Sequence, residues 1–251
     1  MRRLLRVALV GLALMAAYPE KAQAAELKIF GSRVTKMVVG DLGAGFEQAT
    51  GNKLTVVSDV AAVMKRRIEQ GEPFDVAVLV DFQADELIRK GLLVPGSRAD
   101  VMKAGIGVAV KRGARKPDIS TVAAFRQTLL DAKSITYLKE GASTRHLDKV
   151  LAQLGIADAL KAKTIKPATE SVSEMVAAGE VEIGIIVIPN ILSVPGAELV
   201  GPLPPEIQSY ITFTAAVSAQ AVNQSAAREV IRLLQSPQGV ASIKKNGMEI
   251  P

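Results

Sequence analysis

A chain of 251 residues with 49% hydrophobic and 22% charged residues has the balance of a folded protein of one large domain or two small lobes, which excludes a disordered or collagen-like chain. It has no cysteine and a single histidine, His146, which excludes disulfides, thiolate catalysis, iron–sulfur clusters and any metal centre built on several imidazoles. The formal charge is +6 and aromatic residues are 4% with no tryptophan; the scattered bases and scarce rings argue against nucleic acid as a partner.

Residues 1–24 read as a secretory signal. Arg2, Arg3 and Arg6 form a basic start, Val7 to Ala17 is an apolar run too short to span a bilayer, and Ala22-Gln23-Ala24 fits the small-x-small cleavage rule. The expected mature chain starts at Ala25 in the periplasm. The signal holds four of the bases and one of the acids, so the charge excess after cleavage falls to +3.

From Leu27 onward the pattern alternates. Leu27–Phe30 predicts a strand and Thr35–Ala49 a helix, with Met37, Val38, Leu42 and Phe46 at helical spacing and Gly51-Asn52 as its stop. Leu54–Ser58 predicts a strand, Val60–Gln70 a helix, and Asp75–Val80 a strand apolar enough to be buried on both faces. A helix follows from Asp81 to Leu93. Gly105–Val110 predicts another strand, leading into the charged segment Lys111–Lys116. Then come a helix at Ser120–Ala132, a strand at Ser134–Leu138, a helix opening at Gly141-Ala142-Ser143-Thr144, a helix at Ser171–Ala178, strands at Ile183–Ile188 and Ile211–Val217, and a helix at Ser225–Gln235 with a short tail. This rhythm is that of a doubly wound α/β fold. Residues 25–104 with 215–251 are expected to form one lobe and 118–210 the other, with 105–117 and 211–217 crossing between them.

Ligands of open α/β sheets sit beyond the carboxyl ends of strands, at helix starts. Four junctions qualify: Gly31-Ser32-Arg33-Val34, Ser58-Asp59-Val60-Ala61-Ala62, Gly141-Ala142-Ser143-Thr144-Arg145, and Val187-Ile188-Pro189-Asn190. Free N–H groups, the partial positive charge of a helix start and the forked guanidinium suit an anion. Ser32 and Ser143 are either helix caps or anion donors; Arg33 and Arg145 are either ligand forks or solvated charges. Lys65 or Arg66 reaches a nearby anion or lies on a solvated helix face. No G-x-S-x-G elbow, phosphate loop, dinucleotide fingerprint or calcium-loop spacing is present.

The stretch Arg67-Ile68-Glu69-Gln70-Gly71-Glu72-Pro73-Phe74-Asp75-Val76 leading to Asp81 resembles the molybdate-binding proteins of bacterial ABC importers, within the class of periplasmic solute-binding proteins. Leu27–Phe46, Leu151–Gly155 and Gly179–Gly184 are similar too, and the likeness runs nearly the whole mature chain. The resemblance implies a type II periplasmic-binding fold: two lobes, each a mostly parallel doubly wound sheet, joined by a two-strand hinge. It also implies a membrane permease as partner, no cofactor, no metal and a monomer. At the positions matching the family's oxyanion contacts stand Val34, the run Val60-Ala61-Ala62, and Val187, none offering a side-chain donor. Each lost hydrogen bond to a charged group costs about 1.5–3 kcal/mol. The expected guest is therefore an organic di- or tricarboxylate, held by Ser32, Arg33, Ala61, Ala62, Ser143, Thr144, Arg145, Val187 and Asn190. The alternative is an enzyme resembling the periplasmic aconitate isomerases, with His146, Asp59 or Asp81 as the proton-transfer group.

Overall fold

The structure, a computed structural model, describes residues 25–251. The predicted signal segment lies outside the described residues. Nine strands form one continuous sheet in the order β2-β1-β3-β9-β4-β7-β5-β6, with β8 also paired to β4. Parallel pairs occupy the two outer parts: β1 (Glu26–Gly31) with β2 (Lys53–Ser58) and β3 (Val76–Val80), and β5 (Ile135–Thr136) with β6 (Thr164–Ile165) and β7 (Ile183–Val187). The middle is antiparallel, built on β4 (Ala99–Lys111) and β9 (Tyr210–Val217), with β8 (Ala197–Pro202) alongside β4.

The two lobes meet along β4. Its first half, to Gly105, pairs with β9; from Ile106 it pairs with β7, and from Gly107 with β8. Tyr210 of β9 stands opposite Gly105, so the return crossing falls just before β9, and Ile211–Val217 lie wholly against β3 and the first half of β4.

Burial explains the strand composition. All five residues of β3 and of β7 are buried, which is why both read as unbroken apolar runs. In the first lobe the two-residue period sorts side chains to opposite faces. Leu27, Ile29, Val76, Val78 and Val80 meet Val34, Val38, Leu42 and Phe46 of α1 (Arg33–Thr50), with Val230 and Leu234 of α9 (Gln224–Gln235) in the same core. Phe30, Ala77 and Leu79 pack instead with Met64 and Ile68 of α2 (Ala61–Glu69) and Leu87 of α3 (Asp81–Arg89). The second lobe packs Ile106, Val108, Ile135, Ile183 and Ile185 against Phe125 and Leu129 of α4 (Val122–Asp131) and Leu147, Val150 and Leu151 of α5 (Thr144–Gln153).

The remaining helices are α6 (Ala157–Leu160), α7 (Val172–Ala178), α8 (Ile188–Leu192) and α10 (Pro237–Lys245). The short tail expected after Gln235 is mostly α10: Ser236 caps it by accepting the Gly239 N–H, and Pro237 takes its first position. Asp41 of α1 accepts hydrogen bonds from Ser242, Lys245 and Asn246, which ties α10 to α1. β4 begins at Ala99, six residues before the predicted strand, because Asp100 and Lys103 interrupt its apolar pattern while its backbone pairs with β9.

Candidate ligand cleft

All four predicted junctions line one cleft, a narrow cavity of about 20 Å³ with the lobes apposed. Ser32 and Val34 come from the β1–α1 junction and Val60 and Ala61 from β2–α2. Gly141 and Ser143 open α5, and Val187 and Asn190 follow β7; Phe213 of β9 and Glu170, just before α7, complete the wall. The turn from β1 into α1 needs glycine at position 31. A Cβ there would stand 2.5 Å from Thr35 Oγ1 and 2.6 Å from Thr35 Cβ, inside van der Waals contact.

Ser32 and Ser143 precede α1 and α5, yet neither side chain caps its helix. The Ser32 hydroxyl oxygen is buried without a hydrogen-bond partner, and so is Oδ1 of Asn190, a residue only 4% exposed. Buried polar atoms are normally satisfied, so an unpaired hydroxyl and an unpaired amide oxygen facing one cleft mark it as the place where a guest supplies an acceptor for the first and a donor for the second.

Glu170 is the charged side chain of this wall. Its carboxylate accepts the Arg33 backbone N–H at 3.3 Å (Oε1) and 3.1 Å (Oε2), at the first residue of α1. Burial pushes its carboxyl above the ordinary carboxylate range. The Arg33 N–H bond and charge pull it partly back, while Asp59 and Glu174 push further up. Sequence reasoning missed Glu170 because it follows a loop after a two-residue strand, outside the strand-to-helix junctions. The polar run Thr169-Glu170-Ser171 before an apolar helix was the available signal.

Several predicted contacts lie elsewhere. The Arg33 guanidinium does not line the cleft: Nη2 donates to the Glu170 backbone carbonyl and pairs with Glu174 Oε1 at 2.6 Å. Arg145 is exposed, with its guanidinium 4.2 Å from the centre of the Phe82 ring. Thr144 is used inside its own loop, accepting from Gly141 N at 2.8 Å and donating to Leu138 O at 2.9 Å. Ala62 sits one residue further into α2 than the lining Ala61. Lys65 pairs with Glu69 and Glu86, and Arg66 with Glu140 at 2.7 Å. None of the three proposed proton-transfer groups lines the cleft. His146 Nε2 is 2.8 Å from Ile207 O, and the Asp59 and Asp81 carboxylates each accept the N–H of the following residue, in short local turns.

Arg33, Arg66 and Arg145 nevertheless share a feature: each joins the first lobe to the second. The pairs Arg33–Glu174, Arg66–Glu140 and Arg145–Phe82 fasten the two walls together. The lobes are therefore apposed, with the guanidiniums at the rim and the uncharged polar groups inside.

Comparison with known proteins gives the same architecture. Residues 27–249 match the family described as bacterial extracellular solute-binding protein. The chain belongs to this family. Among its relatives, an aconitate isomerase of Pseudomonas sp is 30% identical over 217 residues, 84% of this chain and 82% of the relative. The molybdate-binding protein ModA of Azotobacter vinelandii is 25% identical over 233 residues, 90% of each chain. The solved periplasmic molybdate-binding protein of Azotobacter vinelandii superposes with a TM-score of 0.76 at 19% identity, covering 90% of this solute-binding protein and 99% of that chain. That agreement is in fold: the two-lobed type II arrangement.

No helix among the described residues is long and apolar enough to cross a membrane. No group of three or more His, Asp or Glu among the described residues is placed to hold a metal ion.

Proposed function

We propose that this solute-binding protein is an exported periplasmic receptor that closes on a small organic di- or tricarboxylate and presents it to the permease of an ABC importer. The observation that carries this reading is the convergence of four junctions from two lobes on one cleft, with the Ser32 hydroxyl, a donor for an anion, buried and unpaired inside it. The starts of α1, α2 and α5 add N–H groups and partial positive charge. Val34, Ala61 and Val187 line the same wall without a side-chain donor, which favours a guest with apolar carbon between its charged ends over a compact inorganic oxyanion. Lobe closure is then the signal read by the permease, since the closed form gains contacts from both walls.

A thermal-denaturation screen against citrate, aconitate, malate, sulfate and molybdate tests this. A guest at a hundredfold excess over its Kd stabilises by about 2.7 kcal/mol. Stabilisation by carboxylates is the expected result; stabilisation by molybdate alone counts against it.

A second reading is an isomerase on the same fold. Two observations favour it: the Pseudomonas aconitate isomerase relative, and Glu170, a carboxyl in the cleft that burial holds above the ordinary carboxylate range. Such a group takes a proton from one carbon of an allylic tricarboxylate and returns it to another. Ultraviolet absorbance of cis- or trans-aconitate at catalytic protein concentration separates the readings: steady change means turnover, stabilisation without change means capture.

A further inference from the structure

We propose that an anionic guest enters this cleft together with one proton, and that Glu170 carries that proton in the complex. The inference rests on the anion reading above and adds a binding residue and a linkage to it. Its basis is position. The Glu170 carboxylate already sits at the start of α1, accepting the Arg33 N–H with both oxygens, beside the unpaired Ser32 hydroxyl that can donate to an anion and the unpaired Asn190 Oδ1 that accepts from a protonated group. The residue is anchored there, because its backbone carbonyl accepts from the Arg33 guanidinium.

The surroundings leave the arriving charge little else to meet. Arg33 of α1 faces Glu170 but is committed to the Glu170 carbonyl and Glu174. Asp59 after β2 and Glu174 on α7 are both negative and oppose a second anion. α2, α5, α8 and β9 present Ala61, Ser143, Asn190 and Phe213 to the cleft, none of which titrates. The nearby cations Arg66 and Arg145 are held at the rim by Glu140 and Phe82. Two carboxylates sharing such a wall do not both stay ionised. Glu170 therefore takes one proton from solvent and its new O–H donates to an oxygen of the guest, a short charge-assisted bond replacing a repulsion. The atoms balance as one carboxylate, one solvent proton and one anion giving one carboxylic acid hydrogen-bonded to the anion.

The linkage fixes the pH behaviour. Between the ionisation of Glu170 in the free protein and in the complex, each pH unit upward weakens binding tenfold. Below the free-state value the carboxyl is already protonated and this dependence vanishes. Ordinary anion capture at helix starts has no such slope.

Calorimetric titration of citrate, a saturated tricarboxylate that cannot isomerise, tests this at about pH 7.5 and 8.5, where its own carboxyls are ionised. Each titration is run in two buffers of different ionisation enthalpy, with the natural protein and Glu170→Gln. The natural protein should take up protons on binding citrate, at most one per citrate, and bind more weakly at the higher pH, by at most tenfold. Glu170→Gln should take up none and lose the pH dependence. Zero uptake by the natural protein, or equal uptake by the variant, overturns the proposal. If Glu170→Gln does not fold, the proton count of the natural protein decides alone. If neither protein binds citrate or molybdate at either pH, the anion reading falls and this inference with it.

Discussion

Gln208 pairs with the main chain of Ile106 through both polar atoms of its amide: Oε1 accepts the Ile106 N–H at 3.1 Å and Nε2 donates to the Ile106 carbonyl at 2.9 Å. The same Oε1 also accepts the Ser209 N–H at 2.9 Å. Ile106 is where β4 exchanges β9 for β7, so the amide does there what a neighbouring strand does elsewhere. Gln208→Ala leaves the partly buried Ile106 N–H without that acceptor and should cost about 1–3 kcal/mol, read as a lower urea midpoint. Gln208→Glu keeps the acceptor but loses the donor, and should destabilise above the carboxylate range more than below it.

The three rim contacts should act together on the equilibrium between open and closed lobes. Arg66–Glu140 is solvent-exposed on both sides, so Arg66→Ala alone should change stability by less than about 1 kcal/mol. Arg145 over Phe82 is worth about 0.5–1 kcal/mol at an exposed site. The combined R33A, R66A and R145A variant should have a larger radius of gyration by solution scattering. Arg66→Ala and Arg145→Ala should each weaken carboxylate binding less than tenfold, because neither guanidinium lines the cleft, whereas Arg33→Ala also frees the Glu170 main chain. A larger loss from Arg145→Ala alone would place that side chain on the guest.

Gly31→Ala tests the turn that aims Ser32. The added methyl meets Thr35 at 2.5 Å and forces the strand or the helix to shift, at a cost of about 1–3 kcal/mol. The Tm should fall, and guest affinity should fall with it because Ser32 moves.

Acid should loosen the α2–α3 contact. Lys90, and then Lys65, hold the Glu86 carboxyl down at about 2, and the same two lysines lower Glu69. A depressed carboxyl contributes stability that is present above its unfolded value and lost as pH falls toward the folded one, here from about 4.5 to about 2. Glu86→Gln should flatten that part of the stability curve, measured by chemical denaturation at stepped pH.

Much of the frame was legible because burial writes itself into pattern. β3 and β7 are buried on both faces and read as apolar runs, and α1 shows one apolar stripe ended by Gly51 in the left-handed region. The four junctions were found because parallel strands put their carboxyl ends on one side of a sheet. What stayed hidden depended on partners distant in sequence. The first half of β4 sets Asp100 and Lys103 among the buried Val101, Met102 and Ala104, so its apolar pattern is broken although its backbone pairs with β9. The side chains of Arg33 and Arg145 were expected in the cleft, and only the opposite wall, with Glu170, Glu174 and Phe82, explains why they turn to the rim. Glu170 itself stands 137 residues from the N–H it accepts, a pairing no local pattern encodes.

The placement of β9 has a consequence for biosynthesis. It inserts between β3 and β4, so the first lobe lacks a central strand until Ile211–Val217 have been translated. At about 5–20 residues per second the N-terminal portion waits several seconds in an incomplete state. Completion of that lobe is therefore bound to the late arrival of a single strand, and its folding trails synthesis rather than keeping pace with it.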